Sequence, residues 1–131
     1  MGQLQGGSSS TGGRLDGSLQ KTAPTAASFA LGAGWGTTGS ATMLTGSTDQ
    51  RGQITITASG ASFAQATATV VFTFADGAFA SAPFVIVTTT NDNSIDTGKF
   101  TWTSTTTAVT FTFSLLPVDT KIYKMTYVCI A

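Results

Sequence analysis

The sequence contains no histidine and no glutamate, and its 131 residues include a single cysteine, Cys129. Without histidine, the chain supports no His-based general acid–base catalysis, no Ser-His-Asp triad and no His-ligated zinc. Without a second cysteine, it forms no intramolecular disulfide. These absences exclude most enzyme classes and the disulfide-stapled modules. We therefore expect a protein that is not an enzyme and that needs no cofactor or metal.

Charged residues are also scarce. They make up 9% of the chain, against roughly 25% in average globular proteins. The six basic and six acidic residues give a net charge of zero, and only Lys121 and Lys124 lie close together in sequence. Non-specific nucleic-acid binding needs several clustered cations, so we expect no nucleic-acid partner. A surface rich in threonine, serine, glycine and asparagine suits proteins packed into large assemblies or secreted proteins.

Long apolar runs are missing as well. A membrane-spanning helix needs about 18 or more apolar residues, and Asp76, Gly77 and Pro83 interrupt the longest candidate stretch, at 66–87. The first residues have neither the basic start nor the apolar segment of a secretory signal. We expect a protein that is made in the cytoplasm and is not inserted into a membrane.

What the sequence has in abundance is threonine, with 26 residues, and short segments in which apolar residues alternate with polar ones. Threonine favours strands because its branched side chain suits a pleated surface. The segments, separated by glycine and proline, are 36–44, 53–57, 69–74, 84–88, 99–104, 109–113 and 122–130. This pattern predicts an all-β fold: a single antiparallel β-sandwich, jelly-roll-like, with about seven strands over residues 35–131.

Two segments carry finer predictions. Residues 84–88 are apolar on both faces, which is expected of a central strand. Residues 100–113 predict a hairpin that turns near 104–106, although a tight turn without glycine or asparagine is unusual.

Residues 1–34 differ in kind from the rest. Their glycine- and serine-rich composition is that of a flexible linker, with few apolar side chains, and it predicts an extended arm for assembly or attachment. The same composition also fits a disordered tail or an added leader. We take Phe29, Leu31 and Trp35 as candidate assembly contacts. Trp35 could alternatively stack on a sugar or anchor the arm to the sandwich.

One oxygen-rich cluster lies at residues 91–98. Asn91, Asp92, Asn93 and Asp96 are candidate receptor-contacting residues on an outward loop. The cluster lacks the spacing and the bidentate glutamate of a calcium hand, so a calcium site is a weaker interpretation than a solvated connection between strands.

The other reactive groups have ordinary explanations. The six aspartates fall almost entirely in predicted turns, where the side chain caps its own backbone. An aspartate pair that converges in a cleft, as in glycoside hydrolysis, stays open. Cys129 lies between apolar neighbours in a strand and reads as a small buried residue.

Several short motifs occur in a recognisable order along residues 35–131. They are Gly-Trp-Gly at 34–36, Thr-Asp-Gln-Arg-Gly-Gln-Ile-Thr at 48–55, Thr-Val-Val-Phe-Thr-Phe at 69–74, Ala-Pro-Phe-Val-Ile-Val-Thr at 82–88 and Tyr-Lys-Met-Thr-Tyr at 123–127. With these motifs the chain resembles the small β-sandwich domains at the ends of bacteriophage fibres and in related virion proteins. It departs from long fibres because no shaft or coiled coil precedes the sandwich.

The resemblance implies a homotrimeric, non-enzymatic structural protein located in the virion, with other virion proteins as partners. A short head fibre or capsid decoration protein, attached through its N-terminal arm, is the function we expect. The alternative is a receptor- or carbohydrate-binding tip domain of a tail fibre. In that case loops 45–52, 91–98 and 114–121 would contact a host-surface glycan.

Overall fold

The computed structural model describes residues 23–89 and 100–131. Within them the chain forms eight strands, no α-helix, and short 3-10 turns at Ala26–Ser28, Ala33–Trp35 and Gln65–Thr67. The strands are β1 (Phe29–Leu31), β2 (Ser40–Met43), β3 (Arg51–Thr57), β4 (Thr69–Thr73), β5 (Phe84–Thr89), β6 (Phe100–Ser104), β7 (Ala108–Phe113) and β8 (Ile122–Ile130). The predicted all-β sandwich is confirmed.

The strands form two four-stranded antiparallel sheets. The first sheet has the order β1-β4-β7-β6, and the second has the order β2-β3-β8-β5. Hairpins join β2 to β3 and β6 to β7, whereas every other connection carries the chain from one sheet to the other. Because the chain passes between the sheets so often, contacts distant in sequence hold the sandwich together.

The core lies between the two sheets and follows the period-2 alternation of the sequence. In β8 the buried positions are Tyr123, Met125, Tyr127 and Cys129, and the intervening side chains face outward. The remaining buried apolar side chains come from both sheets and their connections: Trp35, Ile54, Ile56, Ala58, Ala68, Val70, Phe72, Phe74, Val85, Val109, Phe111 and Phe113. Each strand therefore places one row of side chains in a shared core.

The sandwich begins earlier than the sequence analysis placed it. β1 pairs with β4, with Phe29 opposite Phe72 and Leu31 opposite Val70, so residues 29–31 belong to the first sheet. We had assigned them to the arm because a three-residue Phe-Ala-Leu strand is too short to display an alternation. Its pairing partner β4, whose paired residues lie 39 to 43 positions later in the chain, decides its structure.

β5 lies at an edge of the second sheet, and the prediction of a central strand is wrong. Among the described strands it pairs with β8 on one side and with none on the other, and its side chains divide between the core and the solvent. Val85 points into the core, whereas Phe84 and Ile86 are exposed. A strand that is apolar on both faces is normally buried on both, but β5 is buried only on the face that carries Val85.

The hairpin of β6 and β7 is confirmed, with its turn at residues 105–107. The Thr105 hydroxyl accepts hydrogen bonds from the backbone N–H groups of Thr107 (3.2 Å) and Ala108 (3.1 Å). The Thr105 N–H donates to the Ala108 carbonyl at 2.9 Å. A side-chain hydroxyl thus organises this turn.

Trp35 connects the two sheets. Its ring makes edge contacts with Phe113 of β7 at 5.2 Å and with Tyr123 of β8 at 5.4 Å between centroids. Its indole N–H donates to the Thr69 carbonyl at 2.9 Å. A large ring with its polar atom satisfied stabilises a core strongly, so Trp35 fixes the end of the sandwich where the chain enters.

We expect Trp35→Phe to lower the free energy of unfolding by about 2–3 kcal/mol, since it leaves a cavity between the sheets and removes the hydrogen bond to Thr69. Urea denaturation followed by circular dichroism measures the loss. The matched control is Trp102→Phe, on the half-buried edge strand β6, for which we expect about 1 kcal/mol or less. Equal losses for the two variants would contradict this role of Trp35.

Candidate functional site

The three predicted assembly contacts have different environments. Trp35 is 0% exposed within its own chain, so its side chain is not available to another subunit or to a sugar, and that part of the prediction is corrected. Phe29 and Leu31 are half-buried on the edge strand β1, and Phe29 stacks on Phe72 at 5.1 Å. Their role in assembly stays a prediction.

The predicted receptor-loop residues Asn91, Asp92, Asn93 and Asp96 lie outside the described residues. The prediction of a receptor-contacting loop at residues 91–98 therefore stays a prediction. Residues 1–22 of the proposed arm also lie outside the described part of the chain.

The β2–β3 connection, residues 44–50, closes one end of the sandwich, and we call it the clasp loop. It turns inward, so that Ser47, Thr48 and Asp49 are buried polar residues. The Tyr127 hydroxyl of β8 donates a hydrogen bond to the Thr48 carbonyl. A Cβ at Gly52 would lie 2.6 Å from the Ser47 Cβ, so the absent side chain leaves the space that the loop occupies.

Asp49 ties the clasp loop to the first sheet. Its Oδ1 accepts the N–H of Ala75 at 2.9 Å and its Oδ2 accepts the N–H of Asp76 at 2.8 Å, just beyond β4. Burial raises the pKa of this carboxyl, although the two backbone hydrogen bonds act in the opposite direction. The carboxylate thus satisfies two backbone donors of a connection that belongs to the other sheet.

The prediction that Asp49 lies in a turn and caps its own backbone missed its long-range partners, the N–H groups of Ala75 and Asp76 beyond β4. In the alternative of a receptor-binding tip, residues 45–52 supply contacts; three of them are buried and others, such as Arg51, are exposed, so that alternative stays a prediction. The sequence shows only a Thr-Asp pair before the glycine-containing strand β3. It does not show that Ala75, 26 residues further along the chain, is the spatial neighbour of Asp49.

An open groove of about 440 Å³ lies beside the clasp loop on the outer side of the second sheet. Its lining comes from the clasp loop, β3 and β8: Leu44, Thr45, Gly46, Ser47, Arg51, Gly52, Gln53, Thr126, Tyr127 and Val128. Arg51 is exposed and is the charged residue among them. The groove therefore combines apolar walls, neutral hydrogen-bonding groups and one cation.

Next to this groove lies a cluster of exposed apolar side chains, which we call the apolar corner. It consists of Phe84 and Ile86 of β5 and Val128 and Ile130 of β8, which are 76, 58, 40 and 43% exposed. Phe84 lies opposite Ile130 and Ile86 opposite Val128 in the antiparallel register. Because cross-strand neighbours have Cβ atoms about 5 Å apart, the four side chains form one continuous surface.

The charges on this outer face are all positive. In β2, β3, β5 and β8 the charged residues are Arg51 and Lys124, and both face outward. Arg51 lies opposite Val128 and borders the apolar corner, whereas Lys124 lies opposite Thr55, further along the sheet.

Asp49, Asp119 and the Cys129 thiol have structural roles. Both Asp49 oxygens are occupied by backbone donors, and the Asp119 Oδ1 accepts the N–H of Gly60 at 3.1 Å, in a different part of the sandwich. Burial raises the pKa of the Cys129 thiol to about 12, with Asp49 adding to the shift. Such a thiol is a poor nucleophile near neutral pH. Among the described residues no group of three or more histidine, cysteine or acidic side chains could hold a metal ion.

No helix within the described ranges has the length and apolarity that crossing a bilayer requires. No family model, no curated protein and no solved structure matches this chain.

We expect Asp49→Asn to lower the free energy of unfolding by about 1–3 kcal/mol, because the new NH₂ group faces one of the two backbone donors. The deficit should depend on pH. Since burial raises the pKa of Asp49 in the folded chain, folding takes up a proton as the pH falls through that raised pKa, and this carboxyl adds stability down to its ordinary pKa of 3.8. The variant lacks that gain, so its deficit should grow on acidification in urea denaturation series.

The matched control is Asp119→Asn, at an exposed hydrogen-bonded carboxyl, for which we expect a loss of about 1 kcal/mol or less. A deficit of Asp49→Asn that shrinks as the pH falls would contradict a pKa raised by burial.

Proposed function

We propose that this chain is a non-enzymatic structural protein of a bacteriophage virion. It is a short head fibre or capsid decoration protein that attaches to the particle through its N-terminal arm and assembles with further copies of itself. The sandwich projects from the particle, and the arm follows a groove on the shell.

The observation that carries this proposal is the apolar corner on the outer face of the second sheet. Soluble monomers rarely expose contiguous apolar patches larger than a few hundred Å² without a function. In an assembly, a neighbouring subunit covers such a surface. The corner and the resemblance to virion sandwich domains support the same class of protein.

The surface chemistry supports the proposal as well. Threonine is the most frequent residue at the outward positions of the strands, as at Thr42, Thr55, Thr88 and Thr126, and charged residues are 9% of the chain. A neutral surface packs against neighbours without desolvating charges. The buried Asp49 carboxylate and the unreactive Cys129 thiol agree with a structural role.

We expect the full chain to co-purify with particles of the phage that encodes it, and a variant lacking residues 1–22 to be lost from them. This deletion spares the Thr25 hydroxyl, which accepts the Ala27 N–H at 3.2 Å, and leaves β1 whole. Density-gradient purification followed by mass spectrometry gives the copy number per particle.

Circular dichroism of the deletion variant serves as the control, since the sandwich should stay folded. If purified particles do not contain the full chain, the proposal is wrong. Equal incorporation of both forms would contradict attachment through the arm and leave a virion location intact.

The groove beside the clasp loop favours a second candidate, the receptor- or carbohydrate-binding tip domain. Arg51 can pair with a carboxylate, and Gln53 and Thr126 supply neutral hydrogen-bonding groups next to the apolar Leu44 and Val128. No aromatic ring among the lining residues is exposed, because Tyr127 is fully buried. These groups fit an acidic sugar bound through its carboxylate better than a neutral sugar bound by stacking.

Under this second candidate, the full chain should bind sialylated or uronic-acid glycans on a glycan array. Arg51→Ala should weaken this binding by at least about tenfold, because a charge-assisted hydrogen bond is worth about 1.5–3 kcal/mol. Lys124→Ala is the matched control, because Lys124 lies on the same face outside the groove. Binding that is indifferent to Arg51 would rule out the groove as the glycan site.

A further inference from the structure

The apolar corner is large enough to form the centre of a specific interface. With typical side-chain areas of about 150–200 Å², its four exposed fractions correspond to roughly 400 Å² of apolar surface. A standard interface buries about 800 Å² per partner, of which about 60% is apolar, or roughly 500 Å².

The strand that carries half of the corner also lacks the usual protection of a sheet edge. β5 has six residues, whereas the other edge strands, β1, β2 and β6, have three, four and five. Its sequence, Phe-Val-Ile-Val-Thr-Thr, contains no charged residue and no proline. Natural edge strands are normally kept short or carry lysine, proline or a bulge, since an apolar uncharged edge invites aggregation. An unprotected edge of this kind is expected where a native partner covers it.

The charge distribution favours a second copy of this chain as that partner. None of the four corner residues is charged, so two corners can meet without burying a charge. Arg51 lies at the border of the corner, where a cation stays solvated at the rim of an interface. The chain also has zero net charge, so copies do not repel one another at long range. An uncharged apolar patch can pack against the same patch of another copy in more than one symmetry, because it contains no charged group that would have to be paired.

We infer that the apolar corner formed by Phe84, Ile86, Val128 and Ile130 is the surface through which copies of this chain contact one another. This inference deepens the proposed function, because it names the subunit contact of the assembled protein. It assigns self-association to the β5–β8 side of the second sheet, separate from the arm and from β1.

Sedimentation velocity of the full chain at about 1–200 μM tests the inference, because the fraction of associated copies rises with protein concentration. We expect the wild type to form oligomers and the double variant Phe84→Lys/Ile86→Lys to weaken association by at least about tenfold, as the loss of central apolar contacts does. Both positions are mostly exposed, so the sandwich should stay folded, which circular dichroism checks. The milder Ile86→Thr keeps a β-branched side chain and should weaken association in the same direction.

The matched control is Thr42→Lys, which adds a lysine to the exposed outward side of β2, at the opposite edge of the same sheet. It should leave the association constant unchanged. A wild type that stays monomeric at the highest concentration would overturn the inference. So would a double variant that associates like the wild type, or a monomer that uses Phe84 to bind vesicles of anionic phospholipid.

The inference and the proposed function fail separately. If the full chain enters particles but the double variant associates normally, the apolar corner is not the subunit contact and the virion role stands. If copies associate through the corner but no particle contains the chain, the virion role fails and the contact stands.

Discussion

The two sheets of this sandwich must be closed at their ends without leaving buried polar groups unpaired, and the Asp49 carboxylate meets this constraint at the clasp. It accepts two consecutive backbone N–H groups beyond β4 while it sits in a loop between β2 and β3. The adjacent Thr48 carbonyl accepts the Tyr127 hydroxyl from the middle of the second sheet. Because most connections switch sheets, this small polar network fixes the relative position of elements that no hairpin joins.

The aromatic side chains complete the connection between the sheets. Phe72 and Tyr127 meet at 5.3 Å across the core near the clasp, and Trp35 bridges Phe113 and Tyr123. The clasp loop thus joins the two sheets through polar contacts. Trp35 joins them through ring packing and a single hydrogen bond. With charged side chains so scarce, shape and hydrogen bonding carry most of the specificity of the fold.

The period-2 alternation was enough to predict the sandwich, most of its strands and the inward row of β8. It failed at β1, where three residues are too few to show a period, and at Trp35 as an assembly contact, because this ring is buried in the core of its own chain. It also failed at β5, because the exposed apolar side chains of Phe84 and Ile86 give the same sequence pattern as buried ones. Sequence alone cannot distinguish burial within a chain from burial between chains, and that is the distinction on which the apolar corner depends.

The same limit applied to the candidate site. Polar loop residues usually face water, but Ser47, Thr48 and Asp49 of the clasp loop are buried, and the partners of Asp49 lie 26 and 27 residues away in the chain. The groove forms only where β3 and β8 lie side by side, because its lining residues come from two distant parts of the sequence. Groove and apolar corner share one outer face, so a ligand in the groove and a neighbouring subunit would both contact Val128.

Cys129 faces the core on β8 directly opposite Val85 of the edge strand β5. As the sole thiol in the chain, it is a built-in reporter for the sheet edge. A maleimide or disulfide reagent reaches the thiol only when the core opens locally beside β5, so the labelling rate measures how often this opening occurs. Any neighbour that covers this edge would slow the reaction without touching the sulfur, which makes the covered and uncovered states distinguishable by chemistry alone.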